Sequence, residues 1–490
     1  MKKTKVVRLL ELMTKSERQG IKDFLNNPVF NKNQEIIKLY EFIYSFESNY
    51  DHKRFTAEQA YKSIKPKSKF DKQALNRILN QLFETVKRFI NCLQINNQPY
   101  SEEFALLNFF FERLPNTLKD NRFENQHKRI DQLIDKNYKG IEQLQKKLDL
   151  SYSYSMYLSK FFPLKERNRE LLDNMNHYLF LSVLNLYCDI LNNSLIGNHD
   201  ELSPQINDFI TSIPESVASN PVIELWYQTA STLLLIRETI HKDVEGKSMN
   251  KIERSNYDNL NDIFQQRSEL LSQEEQYNFF VFLNTILNYT DISEAEFYTE
   301  HFQKHEIALE KGYLFIDQKI RGQDAKNIIT AAIKSHHADW LETFLKTYEK
   351  KIEQRFRRDL YFYGMAKIAF ERGAIKKADQ LISQIEISKY IFFQISEKIM
   401  KIQIYYELED DGIYGVISNL EVFLSKKQKQ LDKNDLLSNR NFCSLVKRII
   451  NTVKKDNQTV NQIIAEIQAI PSNGLPERSW LLTKLKEKLR

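Results

Sequence analysis

Two histidines, His301 and His305, stand four residues apart in HFQKH, a spacing at which two imidazoles on one helical face can share a metal ion. A zinc peptidase also needs Glu directly after the first His, and Phe302 holds that place. His305 falls instead in a stripe with Tyr298, Phe302 and Leu309, which assigns it to a core edge. His336 and His337 are adjacent at a turn expected before Trp340, and adjacent side chains point apart, so joint ligation is poor. Glu409-Asp410-Asp411 with Gly412 reads as a turn between helices, because acidic neighbours alone define neither a calcium loop nor an acid–base pair. Gly412 and Gly415 make no phosphate cradle, and neither GxxxxGK[ST] nor GxGxxG occurs. No Ser or Cys stands in a nucleophile-elbow pattern. Cys92, Cys188 and Cys443 form no CxxC, and each lies in an amphipathic helical pattern, as buried free thiols in a reducing cytoplasm would. The expectation is no enzyme, no cofactor and no metal, with one route left open: groups on distant helices that converge in the fold.

Phosphate binding is the second chemistry to weigh. Lys62, Lys65, Lys67, Lys69 and Lys72 crowd around Pro66. Residues 1–98 hold 19 Lys and Arg against 10 Asp and Glu, a net of +9, whereas the whole chain carries +6. A basic helical module of this kind can meet nucleic-acid phosphates. Against that, no Arg stripe faces a groove and no signature of a known reader appears. A solvated Lys-rich loop is the simpler reading.

The elements that must position any site are helices. The 490 residues include only 11 Gly and 10 Pro, too few for a turn-rich sheet protein. Hydrophobic residues at 42%, with 32 Phe and 24 Tyr, are ample for a long core. Arg8 and Glu11 interrupt any apolar export segment near the start. The longest uncharged runs, Asn174–Cys188 and Gln276–Thr290, are 15 residues each, short of the roughly 18 a membrane span needs. The expected setting is cytoplasmic, without membrane contact.

In chain order, Thr14 with Glu17 and Thr56 with Gln59 read as capping boxes, and Asn33 as an N-cap. A long helix over about Asp71–Ile95 carries Leu75, Leu79, Leu82, Val86, Phe89 and Leu93, a seam read as core of its own domain. Further helices are expected at about Glu102–Leu114, Leu118–Tyr138, Ile141–Phe162 and Lys165–Asn192, with Gly140 in a bend and Pro163 as a stop. Val222–Arg237 is apolar almost all round, as a buried helix would be. No Pro occurs between Pro221 and Pro471, so helices are least interrupted there. Helices at about Asp435–Val453, Val460–Ile470 and Pro476–Leu489 complete the chain, the last as a cap.

The most legible stretch is Asn327–Leu424. Phe362, Met365, Ala366 and Ala369 share one helical face, Gly373 breaks the run, and Ala378, Ile382 and Ile385 follow. This spacing resembles the tetratricopeptide repeat (TPR), a 34-residue helix–turn–helix unit. Phe362 stands for its Trp, Ala366 for its Gly and Ala378 for its small residue, while Ala369 replaces the usual Tyr and the closing Pro is missing. Ala325–Ser335 with Asp339–Lys350, and Tyr390–Leu408 with Ile413–Leu424, read as neighbouring pairs. Such pairs must stack to bury their apolar faces. An irregular helical bundle with chance spacing is the plainer alternative.

Three runs, LNNPVFNKNQEIIKLYEFI, KNIITAAIKSHHADWLETFLKTYEKKI and KIQIYYELEDDGIYGVISNLEVFLSK, resemble those of an uncharacterised bacterial family of large all-helical proteins. That resemblance implies a helical fold and carries no activity or ligand.

The fold expected is all-α: an α-solenoid of stacked TPR-like antiparallel helix pairs with a small basic N-terminal module. The domains expected are 1–98 (basic module), 99–220 (long helices) and 221–490 (repeats with a capping helix). The function expected is non-enzymatic binding of an unknown protein or peptide. By the TPR resemblance, Tyr363, Lys367, Phe370 and Glu371 face the binding groove. The alternative is a regulator whose basic module touches nucleic acid through the five lysines while the repeats hold a partner.

Overall fold

A computed structural model describes residues 1–47, 49–96, 99–113, 121–159, 169–196, 208–210, 212–241, 251–386, 390–431, 433–453, 456–470 and 474–489. Among the described residues it is all-helical, 80% helix in 23 helices with no strands. The expected stop at Pro163, the helix starts at Leu118 and Lys165, Pro204 and Pro471 lie outside the described residues. Two compact units form, one from Met1–Lys136 with Met156–Phe162, the other from Asn137–Ser155 with Pro163–Arg490.

The first unit is organised by local caps and one long helix. Helix α1 (Lys5–Glu11) leads to α2 (Lys15–Asn26), which opens with the full Thr14–Glu17 box: Thr14 Oγ1 accepts from Glu17 N at 3.2 Å, and Glu17 accepts from Thr14 N at 2.7 Å. Asn33 caps α3 (Gln34–Tyr44) by accepting from Glu35 N at 2.9 Å. At α4 (Ala57–Ile64) only the Thr56 half of the expected second box is made. Asp71 caps α5 (Lys72–Asn96), whose Leu75, Leu79, Leu82, Val86 and Phe89 are buried against Val6, Ile21, Leu39 and Tyr61. The heptad-like seam therefore faces its own core. Helices α6 (Pro99–Arg113) and α7 (Asn121–Asn137) are tied by Gln126 Nε2, which donates to Glu103 O at 2.8 Å.

Helix α8 (Gly140–Leu158), which belongs to the second unit up to Ser155, begins where Gly140 takes φ +59°. The expected bend is a break, because Gly140 leaves room for Glu275, which accepts from Ile141 N at 3.0 Å. Helix α9 (Arg169–Ile196), the short α10 (Glu215–Ala218) and α11 (Pro221–His241) pack together. Helix α11 is less uniformly buried than its composition suggests: Trp226 and Leu233 are inside, while Leu235 and Ile240 are exposed. Helices α12 (Arg254–Arg267), α13 (Gln273–Asn288) and α14 (Glu294–Glu310) follow, the last two opened by complete Ser–Glu boxes.

Then come α15 (Gly322–Lys334), α16 (Ala338–Tyr348), α17 (Gln354–Glu371), α18 (Ile375–Ile382), α19 (Ile391–Glu407) and α20 (Ile413–Lys427), each packed on the next. The loops entering α15 and α17 are joined by backbone bonds, Ile320 N to Lys351 O at 2.8 Å and Glu353 N to Ile320 O at 3.1 Å. Gly373, at φ +73°, closes α17. Ala378 is fully buried against that helix, in a core shared with Ala366 and Ile382. A second core joins α19 and α20 to α21 (Lys433–Asn451), α22 (Asn457–Ala469) and α23 (Arg478–Leu489). Helix α23 starts after Pro476 and Glu477, which lie in a turn and not in the helix expected there.

Candidate functional site

Glu477 is the residue on which distant helices converge. Its backbone is held at φ +51°, a left-handed conformation that non-glycine residues seldom adopt. Its carboxylate accepts from Lys334 Nζ at 2.7 Å and Lys367 Nζ at 2.8 Å. Lys334 is the last residue of α15, where a cation is also favoured by the helix dipole. Lys367 lies mid-way along α17 and reaches Gln403 Oε1 of α19 at 3.4 Å. Burial alone would raise the Glu477 carboxyl, but attraction to the two ammonium groups and their hydrogen bonds hold it well below the usual carboxylate range. Burial would likewise lower the Lys367 ammonium, and Glu477 pushes it up instead.

The segment around Glu477 is pinned on both sides. Arg478 donates to Ile470 O and Gln468 O, and Ser479 Oγ donates to Glu294 Oε1 at 2.9 Å. Trp480 Nε1 and Lys484 Nζ both donate to Glu407, each at 2.8 Å. Leu475–Arg478 forms one wall of a cavity of about 390 Å³ whose other walls come from the end of α13 with the loop after it, Lys251, α14, α15, α19 and α21. Tyr298, Phe392, Ile395 and Ile399 supply its apolar and aromatic surface, and Lys326, Asp435, Ser438 and Asn439 its polar groups. A second cavity of about 980 Å³ shares Asn288, Asp435 and Ser438 with it and is lined further by Asn284, Asn327 and Asn441. Asn439 Nδ2 donates to Asp435 O at 2.7 Å, while Asn439 Oδ1 and Asn284 Oδ1 are buried without a hydrogen-bond partner among the described residues.

The groove residues expected from the TPR resemblance divide. Tyr363 and Lys367 are buried, and Lys367 is covered by Glu477. Phe370 is half-buried against the main core, and Glu371 is exposed, its carboxylate accepting from His336 Nδ1 at 2.9 Å. All four lie on one face of α17, since seven residues make nearly two full turns; what separates them is cover, with Glu477 over Lys367 while Phe370 and Glu371 stand in the last turn of the helix. Among the five module lysines, Lys62, Lys67, Lys69 and Lys72 are exposed, and Lys65 pairs with Glu35 at 2.8 Å.

The histidine pair is internal. His305 is fully buried with Nδ1 2.7 Å from His301 O, and its ring lies 4.5 Å from that of His301. Burial lowers His305 to about 4. His337 stacks on Phe302 with centroids 4.0 Å apart. Among the described residues no group of three or more His, Cys, Asp or Glu is placed to hold a metal. The Glu409–Asp411 stretch forms the turn between α19 and α20, closed by Gly412 N donating to Asp410 Oδ1 at 2.8 Å.

Sequence reading missed Glu477, Lys334 and Lys326. Glu477 follows a proline and precedes an amphipathic helix, which marks a helix start, and nothing local reports that its partners lie more than 100 residues away. No known protein family, curated protein or solved structure matches this chain. Among the described residues no helix is long and apolar enough to cross a membrane.

Proposed function

We propose that this protein is a non-enzymatic scaffold that binds an extended peptide or protein segment in the cavity-bearing face of its second unit. In this reading α15–α16, α17–α18 and α19–α20 are the TPR-like pairs of an α-solenoid, and the first helix of each pair contributes to the binding wall. One observation carries the reading. The chain lays its own turn, Leu475-Pro476-Glu477-Arg478, along this wall and fastens it by a side-chain carboxylate to α15 and α17. A surface that accepts one peptide segment by side-chain and backbone contacts has the chemistry to accept another. The three free thiols are in keeping with a cytoplasmic setting.

The test is selection of a displayed random-peptide library on the purified protein. Enriched peptides are expected to bind the wild type and to lose at least tenfold in affinity with Phe392→Ala or Ser438→Trp, which alter the α19 and α21 walls of the cavity. Enriched peptides indifferent to both changes would refute the assignment of the site.

The second reading keeps its own observation, the four exposed lysines that flank Pro66. If they hold nucleic acid through phosphates, affinity falls by roughly 10³-fold or more from 50 to 200 mM salt for six or more contacts. Filter binding over that range decides it.

A further inference from the structure

The charged groups around the 390 Å³ cavity are almost all committed. Glu477 is held by Lys334 and Lys367, and Glu294 accepts from Ser479. Arg478 donates to two carbonyls, and Lys251 Nζ donates to Ile292 O at 3.4 Å. Lys326, on α15 two turns before Lys334, is different. Its side chain lines the cavity, and its Nζ has neither a hydrogen bond nor an ion pair among the described residues. Asp435 of α21 favours its charge without pairing with it, and Lys367 of α17 opposes it. An ammonium partly removed from water, without an ion pair among the described residues, costs free energy that the Asp435 charge offsets only in part. Such a group at a cavity wall marks a place where an opposite charge is recognised.

We propose that Lys326 is the anion-recognition residue of this cavity and pairs with a carboxylate or phosphate group of the ligand. The inference rests on the binding face assigned above and narrows its ligand to one bearing negative charge. Ser438 and Asn439, on the α21 wall of the same cavity, give that ligand neutral polar contacts, and Phe392 and Ile395 give it an apolar surface. Burial, with a smaller contribution from Lys367, holds the Lys326 ammonium down to about 8. An anion beside it raises that value, so binding takes up a proton above pH 8 and weakens as pH rises.

Isothermal titration calorimetry on the full chain tests this with three probes: acetyl-Gly-Leu-Pro-Glu-Gly-amide, the same peptide with Gln for Glu, and sodium phosphate. The Glu peptide is expected to bind at least tenfold more tightly than the Gln peptide, and several-fold more weakly at pH 9 than at pH 7. Lys326→Met abolishes that preference and the pH dependence. Because Lys326 makes no hydrogen bond or ion pair through its ammonium among the described residues, Lys326→Met is expected to fold with a urea midpoint equal to or above wild type, and Lys326→Gln gives a second, polar control. If phosphate alone binds, through Lys326, the anion site stands and the peptide reading falls. If peptides bind equally with Glu or Gln, or ignore Lys326, the anion site falls and the peptide reading stands. If no probe binds, both fall.

Discussion

Glu477 and its two lysines show what one residue does to the energetics of this fold. The carboxylate and both ammonium groups are more than four-fifths buried, so each depends on the others for compensation. Glu477→Gln leaves two cations beside one neutral amide, and the expected loss is about 3 kcal/mol, the low end for breaking a buried pair. The sign with pH follows from its lowered folded value. The unfolded chain takes up protons near 4.5 while folded Glu477 does not, so its contribution is whole at neutral pH and declines as pH falls below that value. Urea unfolding of wild type and Glu477→Gln should therefore differ most at pH 7 and converge toward pH 3.

Lys304 gives the opposite slope. It is buried over the Tyr257 ring at 5.1 Å, and burial lowers its ammonium to about 7 from 10.5. Between those values the unfolded chain holds a proton that the folded chain does not, so stability from this group rises with pH, by up to about 1.4 kcal/mol per unit. Lys304→Met is expected to raise the urea midpoint at pH 7 and to flatten its rise between pH 7 and 9. An unchanged slope would show that Lys304 stays protonated by moving toward water.

At the scale of elements, the pair α17–α18 carries the clearest expectation. Ala378 has no exposed surface, and five residues before it Gly373 reverses the chain. Ala378→Leu inserts carbon atoms into a closed helix contact, and overpacking of this kind costs about 1–3 kcal/mol. An exposed Ala changed to Leu would be nearly neutral, since both are good helix formers. Hydrogen exchange of the amides in α17 and α18 measures the difference locally. Unchanged protection would mean that the two helices can part without cost.

The whole molecule is predicted to unfold in more than one step. The first unit closes a core of its own, from Val6 to Phe89, and the second contains two further cores. All three tryptophans, Trp226, Trp340 and Trp480, lie in the second unit. Tryptophan fluorescence therefore reports that unit alone, whereas far-ultraviolet circular dichroism reports helix everywhere. The two urea curves are expected not to superimpose, and coincident curves would show one cooperative transition.

Much of this architecture was legible before any coordinates. Scarce Gly and Pro with apolar residues three and four apart dictate helices, because helical periodicity and capping are properties of neighbours in sequence. Thr14 with Glu17, Asn33, Gly373 and the buried seam of α5 were all readable for that reason. The break at Gly140 was not, since the Glu275 carboxylate that occupies its open side comes from 135 residues later. Nor was the clamp. Lys334, Lys367 and Glu477 are ordinary charged residues in a chain that is 28% charged, and only packing removes them from water and gives them one another. Local order follows from local sequence. Which charges are buried together, and that Lys326 makes no ion pair among the described residues, depends on how helices far apart in the chain meet, and the tertiary structure alone decides that.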